Sequence, residues 1–353
     1  MIKHLVLAGG GPIGIVQWGV LKKLTEKNII CYDNIETIYA TSIGCFIALI
    51  YSLNFKMSWI DDFFVKRPWK NIVNFTSLDY LNLMQTKGLI DEDFLIKCLK
   101  PIFLAKNIDI NITLEEFYKL TKKNIHFFTA NLNNFCKEDI NYITHPKLKL
   151  ITAINMSITI PILVKPVYYK NSFYLDGGFF VNNPINDCIY NNKCNSDEIL
   201  ALVNYKNVNI KNKLNSNENK EIKEDINLFN FLIFIIKSLF NKLFLIEKQN
   251  TIVIKNTINC SCTNKTIDID YWIYVFNTEN ERLKLIIYGN ELAENFINSN
   301  VIIDNSNVII DNSNVIIDNS NIIIDNSNII IDNTNIIIDN SNIIIDNSNI
   351  SIK

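Results

Sequence analysis

Three short motifs hold the residues of this chain best suited to chemistry: Gly9-Gly10-Gly11-Pro12-Ile13-Gly14, Ala40-Thr41-Ser42-Ile43-Gly44 and Asp176-Gly177-Gly178. Only ten glycines occur in 353 residues, so their gathering here marks places where backbone must approach something closely or take positive φ. The first motif lies between an apolar run and a helical pattern. That exposes backbone N–H groups at a helix N-terminus, which suits an anion, an oxyanion included. The same residues satisfy G-x-G-x-x-G at Gly9, Gly11 and Gly14, with Asp33 at a ribose-contact spacing, so a dinucleotide site is the rival reading. The second motif has the form of a nucleophile elbow, a sharp strand-to-helix turn with small residues on either side of a serine. Ala40 stands where the first glycine usually does, and the plainer reading is that Ser42 caps the next helix. The third motif, alone, is an Asp-Gly turn.

The histidines narrow the chemistry. There are three, His4, His126 and His145, and none follows Asp176. An α/β-hydrolase triad runs Ser, Asp, His along the chain, so that order fails with this aspartate. If Ser42 is a nucleophile, a carboxylate must serve directly as its base, which makes a dyad of Ser42 and Asp176. For Asp176 to act as that base its pKa should be raised, which burial beside Phe173 and Phe179 would do.

The elements that position these motifs follow from hydrophobic periodicity. Residues 3–8 and 35–40 read as buried strands, followed by helices over 13–27 and 43–53. Helices are expected over 88–100 and 113–122, the second opening on Thr113 with Glu116 three residues on, a capping box. Further strands are expected at 125–131, 198–203 and 271–276, and a closing helix at 280–297. Alternating strands and helices imply a mostly parallel sheet covered on both faces. The aromatic-rich stretch 59–84 is expected to help form an apolar groove, and 207–224 an exposed polar loop. Residues 228–246 are strongly apolar but broken by Asn230, Lys237, Asn241 and Lys242. A core helix is expected there, with a helix lying on a lipid surface as the alternative; a transmembrane span is not expected.

Taken in order, GGGPIG, ATSIG and DGG resemble the patatin-like phospholipase family, which carries a glycine-rich oxyanion loop, a nucleophile elbow and an Asp-Gly-Gly without a catalytic histidine. Ala153–Pro166, AINMSITIPILVKP, resembles the family's Ala-x-x-x-Ser-x-x-x-Pro stretch, and DGGFFVNNP its run from Asp-Gly-Gly to Asn-Pro. Gly289 inside a helical pattern resembles its closing helix. The resemblance covers residues 1–297 and implies one catalytic domain there, with a three-layer α/β/α patatin-like fold around a mostly parallel central sheet. It implies a lipid acyl hydrolase of phospholipase A type, with Ser42 and Asp176 catalytic and Gly9, Gly10, Gly11 and Gly14 forming the oxyanion hole, the donors being the N–H groups of Gly10 and Gly11. Ala40, Gly44, Gly177 and Gly178 would support the elbow and the turn. It calls for no metal and no cofactor, and for a lipid partner at a membrane surface. Two departures stand out: Ala40 in the elbow, which leaves open a fold that binds lipid without turning it over, and Ile13 where the family often carries a basic residue.

Beyond that domain, residues 298–353 repeat Asn-(Val/Ile)-Ile-Ile-Asp-Asn-(Ser/Thr) with a period of seven. Three consecutive β-branched residues before Asp-Asn-Ser-Asn leave no a/d stripe, so short strands in a small solenoid, or no fixed order, are expected rather than a coiled coil. No catalytic role is expected for this tail. A net charge of −2 offers no basic excess for nucleic acid. The N-terminal apolar run is too short for a signal peptide, and eight scattered cysteines without CxxC pairs suit reduced thiols. The expected setting is intracellular, cytoplasmic or peripheral at membranes; oligomeric state is not legible.

Overall fold

The computed structural model describes residues 1–72, 83, 85–205, 226–262 and 269–299, and beyond them only short strands between 316 and 352. The expected polar loop at 207–224 and much of the aromatic stretch after residue 72 lie outside the described residues. Two compact units divide the chain, Met1–Ala293 and Glu294–Lys353.

In the first unit, β1 (His4–Leu7) leads through the glycine turn into α1 (Ile13–Glu26), and β2 (Thr37–Thr41) leads through Ser42 into α2 (Ile43–Ser52). Every residue of both strands is buried, so both faces of the sheet must be covered. A short helix, α3 (Met57–Val65), stacks Phe63 and Phe64 on Phe46 of α2. Residues 88–100 form β3 (Gly88–Ile90) and then α4 (Glu92–Ala105), not one helix. The break falls at Asp91, whose side chain accepts the Phe94 N–H at 3.1 Å as the N-cap. The capping box of Thr113 and Glu116 opens α5 (Leu114–Thr121).

The main sheet continues through β4 (Asn124–Asn131), which pairs parallel with β2 and antiparallel with β5 (Cys136–Ile140). After α6 (Leu150–Ile158), β6 (Ile162–Val164) pairs with β3, and β7 (Val167–Tyr169) pairs antiparallel with β8 (Ser172–Asp176). Then come α7 (Ile185–Asn192), β9 (Ile199–Val203), the long helix α8 (Leu228–Asn250) and β10 (Thr257–Asn259). The strand order is β10-β9-β1-β2-β4-β8-β7, parallel from β10 to β4. Ile185 and Cys188 of α7 pack on Val6, Tyr39, Phe128 and Ala201, while the alternate residues Leu5, Leu7, Ile38 and Phe127 are buried on the other face. This is a three-layer α/β/α arrangement.

One register detail places the chemistry. β2 occupies one edge of β4 as far as the pair Thr41↔Phe128, and β5 occupies the opposite edge. From Thr129↔Asp176 onward, β8 takes over the edge that β2 leaves, running the other way. The C-terminal ends of β2 and β8 therefore abut, and the residues that leave them meet.

Two further expectations are corrected. Residues 271–276 belong to a helix, α9 (Ile269–Asn277), not a strand. Helix α8 is not a core helix: only Ile233, Ile236 and Phe240 are buried. The closing helix α10 (Glu279–Ser299) crosses α1 at Gly19 and Gly289, where a Cβ on Gly289 would lie 2.2 Å from the Val16 carbonyl oxygen.

Arg282 of α10 ties α3 to α9. Its guanidinium donates to the carbonyls of Phe64 (2.7 Å), Val65 (2.6 Å), Val275 (3.0 Å) and Phe276 (2.6 Å). Arg282→Met removes this donor from all four carbonyls, of which Phe64 keeps Trp69 Nε1–H and Val275 keeps Thr278 N–H, so stability is expected to fall by about 2–4 kcal/mol, or roughly 5–10 °C in Tm. Differential scanning fluorimetry reads this directly.

In the second unit the short strands pair in parallel at intervals of three repeats: Ile316↔Ile337, Ile323↔Ile344 and Ile329↔Ile350. This is the stacking of a small solenoid.

Candidate active site

Ser42 leaves β2 with φ 54° and ψ −124°, a region that costs a non-glycine residue about 1–3 kcal/mol. It does not cap α2 with its side chain. Instead the strained turn is held by Ser157 of α6. Ser157 Oγ accepts the Ser42 N–H at 2.9 Å and donates to the Phe128 carbonyl at 2.5 Å, while Cys45 Sγ lies 3.1 Å away. Gly44 is needed because a Cβ there would sit 2.2 Å from the Leu7 carbonyl oxygen. The Ala40 methyl is fully buried within β2, so the substitution in the elbow is accommodated and Ser42 still reaches the elbow conformation.

Asp176 ends β8 at the seam and is buried. Ser42 and the Asp176 carboxylate border one small compartment, and Gly178 N–H donates to Oδ1 at 2.8 Å. Burial lifts the Asp176 pKa from 3.8 to about 6, against the lowering by the nearby Ser42 hydroxyl and the Gly178 N–H. Gly177 is tight for its own reason: a Cβ would lie 2.3 Å from the Phe128 carbonyl oxygen.

The four glycines of the loop divide by role. Gly9 N–H donates to the Asn182 carbonyl (3.4 Å) and Gly14 N–H to the Gly11 carbonyl (3.1 Å), so neither is free to meet an oxyanion. Gly10 and Gly11, at φ 145° and 62°, have N–H groups without a partner among the described residues. Of the four glycines expected to form the oxyanion hole, Gly10 and Gly11, the two expected donors, thus have N–H groups open to a ligand, while those of Gly9 and Gly14 are held within the turn. Asn182 and Asn204 fix the loop by donating to the Gly9 carbonyl at 3.3 and 3.0 Å. Ile13, in place of a basic residue, is buried beside Gly10.

Beside the dyad is a compartment of about 20 Å³, bordered by Ser42, Asp176, Gly10, Gly11, Phe240 and Trp272. That is room for one oxygen-sized group. The indole of Trp272 packs on Gly11, and its buried Nε1–H has no partner among the described residues. Ser42 also borders a cavity of about 510 Å³, lined by apolar groups such as Phe46, Ile47, Phe64, Leu95, Leu163 and Phe276. Of the aromatic stretch 59–84, Phe64 and Trp69 line it. The volume suits a chain-like apolar ligand.

Sequence reasoning missed Ser157 as the elbow's clamp, the two asparagines behind Gly9, Trp272, and Glu247 of α8. Glu247 Oε1 accepts the N–H groups of Asn182 (2.7 Å) and Asn183 (2.6 Å), and burial lifts its pKa to about 7. Asp-Gly-Gly followed by Asn-Asn was the only sequence signal for this turn.

The dinucleotide alternative fits poorly. Asp33 lies in the turn before β2, at the opposite end of the parallel strands from Gly9, and cannot face a ligand at the glycine loop. Nor do the histidines approach the dyad compartment. His4 Nδ1 bonds Thr37 Oγ1 (2.8 Å), His126 bonds Asp139 and stacks on Tyr39, and His145 Nδ1 meets Thr144 Oγ1 (3.0 Å). Among the described residues no three His, Cys, Asp or Glu side chains converge to hold a metal ion.

The sequence model of the patatin-like phospholipases matches residues 5–189. The "Probable lipid hydrolase 463L" of Invertebrate iridescent virus 6 is 32% identical over 205 residues, covering 57% of this chain and 69% of its own. The "Uncharacterized protein R571" of Acanthamoeba polyphaga mimivirus is 28% identical over 184 residues, 52% of this chain and 60% of its own. Among solved structures, VipD from Legionella pneumophila overlaps 84% of this chain and 67% of its own, with a TM-score of 0.45 and 16% identity. By its family match and its viral relative, this chain belongs to the patatin-like phospholipases, a family of lipid hydrolases.

Proposed function

We propose that the chain cleaves carboxylic esters of phospholipids as a phospholipase A-type acyl hydrolase, with Ser42 as nucleophile and Asp176 as its base. The observation that carries this reading is a serine on a strained strand-to-helix turn that shares a small compartment with a buried carboxylate, beside an apolar cavity. Ser42 Oγ attacks the ester carbonyl while its proton passes to Asp176. The oxyanion meets the N–H groups of Gly10 and Gly11, each such donor being worth about 3 kcal/mol in the transition state. Collapse expels the lysophospholipid alkoxide, which takes the proton from Asp176. Water, deprotonated by Asp176, then hydrolyses the acyl-Ser42 ester and releases the fatty acid. No step is assigned to a metal ion.

The test is product analysis on mixed phosphatidylcholine and phosphatidylglycerol vesicles in EGTA, comparing wild type with Ser42→Ala. Free fatty acid and lysophospholipid from the wild type alone support the reading. Diacylglycerol or phosphatidic acid as the product, or release that Ser42→Ala retains, overturns it.

A pH dependence follows. Asp176 accepts a proton only when ionised, so with its pKa near 6 the kcat/KM on a soluble ester is expected to fall about tenfold per pH unit below pH 6 and to level off above. Stability runs the other way. Between 3.8 and about 6 the native carboxyl holds more proton than the unfolded one, so this group's contribution declines as pH rises through 6. Glu247 titrates nearby, at about 7, and Glu247→Gln is the control: the acid limb near 6 is expected to persist in it. A profile flat down to about pH 4.5 contradicts Asp176 as base.

A further inference from the structure

Helix α8 is apolar on both sides, and each side faces something different. Its inner side is used turn by turn. Phe229, Ile233 and Lys237 wall the large cavity, Phe240 and Phe244 border the compartment over Ser42, and Glu247 holds the turn at Asn182 and Asn183. The outer side carries Leu228, Phe231, Ile235, Leu239 and Ile246, each between 38% and 65% exposed. At about 100° per residue these five form one stripe, opposite Ile233 and Phe240. Soluble proteins rarely leave so continuous an apolar surface open without a partner.

Charge indicates which partner. The helix carries three lysines, Lys237, Lys242 and Lys248, and one acid, Glu247, which is turned inward. Lys242 lies in the middle of the outer stripe and is exposed. A two-fold contact between copies through this stripe would bring Lys242 towards its own counterpart. An anionic lipid surface meets the same lysine favourably and accepts the apolar side chains around it. Length and composition alone would let the 23 residues cross a membrane. A crossing, however, would pull Ile233, Ile236, Phe240 and Glu247 out of the catalytic unit, whereas lying flat leaves them in place.

We propose that the outer stripe of α8 docks on an anionic phospholipid bilayer, so that the helix walling the catalytic cavity is also the surface through which lipid passes from membrane to Ser42. Its purpose rests on the lipid-hydrolase reading, but docking is measurable without catalysis.

The experiment uses the full chain in flotation with phosphatidylcholine vesicles, with and without about 30% phosphatidylglycerol. It compares wild type, Ile235→Asp/Leu239→Asp and Lys242→Glu, none of which touches the dyad or its loop. Hydrolysis of a monomeric short-chain ester is followed in parallel. The double variant is expected to lose vesicle binding at least about tenfold while its monomeric-ester rate stays within about twofold. Lys242→Glu is expected to weaken binding to the anionic vesicles several-fold and leave neutral ones unchanged. Wild-type chain that fails to float with anionic vesicles overturns the proposal, as does a double variant that floats like wild type. So does a wild-type dimer that the double variant makes monomeric without loss of vesicle binding. If no variant hydrolyses either substrate, the catalytic reading falls and flotation still decides docking.

Discussion

Asp176→Asn is expected to lower hydrolysis of a soluble ester by about 10⁴-fold without unfolding the protein. Asparagine keeps the shape of the side chain and can still accept the Gly178 N–H, but it cannot take the proton of Ser42. The same substitution removes a buried carboxylate that is held ionised at a cost. A pKa lifted from 3.8 to about 6 corresponds to at most about 3 kcal/mol of native-state destabilisation at pH 8, so the variant's Tm is expected to equal or exceed that of wild type. The paired readout is the point. A residue with only a structural role would lose activity and stability together, whereas a base in a strained setting loses the first and keeps the second. Steady-state rates and thermal melts at pH 8 on one preparation separate the two.

The second large effect is expected at Gly11. Its φ of 62° disfavours any side chain, and a Cβ would lie 2.5 Å from Trp272 Cε2, a rigid ring carbon. Gly11→Ala must therefore turn the peptide or displace the indole. Either change moves the proposed oxyanion donor or the wall of the compartment beside it. A loss of about 10²–10³ in kcat is expected with little change in KM, because the N–H bonds the developing oxyanion more strongly than the ground-state carbonyl. Gly289→Ala provides the contrast. It collides with the Val16 carbonyl where α1 and α10 cross, so it is expected to lower Tm while the folded fraction keeps its kcat. Equal kcat losses in both variants would remove Gly11 from the oxyanion site.

What the sequence made legible was local. The β1–glycine turn–α1 and β2–Ser42–α2 units are each written within about twenty residues, as a buried apolar strand, small residues and a helical period. Their meeting with Asp176 is a matter of register: β8 takes over the edge of β4 that β2 vacates, and no local pattern encodes that exchange. What the supporting polar residues hold is hidden for the same reason, even where, as at Ser157 and Asn182, they lie in a recognisable stretch. Ser157 meets Ser42 from 115 residues away, and Asn204 meets the Gly9 carbonyl from 195 away. At 271–276, Tyr-Trp-Ile-Tyr-Val-Phe has the composition of a strand, yet tertiary packing of Trp272 on Gly11 and of Phe276 on Trp69 holds it as a helix. At α8 the apolar run was plain, but periodicity does not reveal what covers a helix. The rest of the first unit covers one side and leaves the other open.

The identity of the nucleophile is the central claim, and active-site labelling tests it most directly. The wild-type chain and Ser42→Ala are treated with a fluorophosphonate at pH 8, and the modified residue is located by peptide mass spectrometry. One adduct on Ser42, absent from Ser42→Ala and slowed in Asp176→Asn, is the expected result. An adduct on another serine, or no adduct on a preparation that releases fatty acid from vesicles, would contradict it.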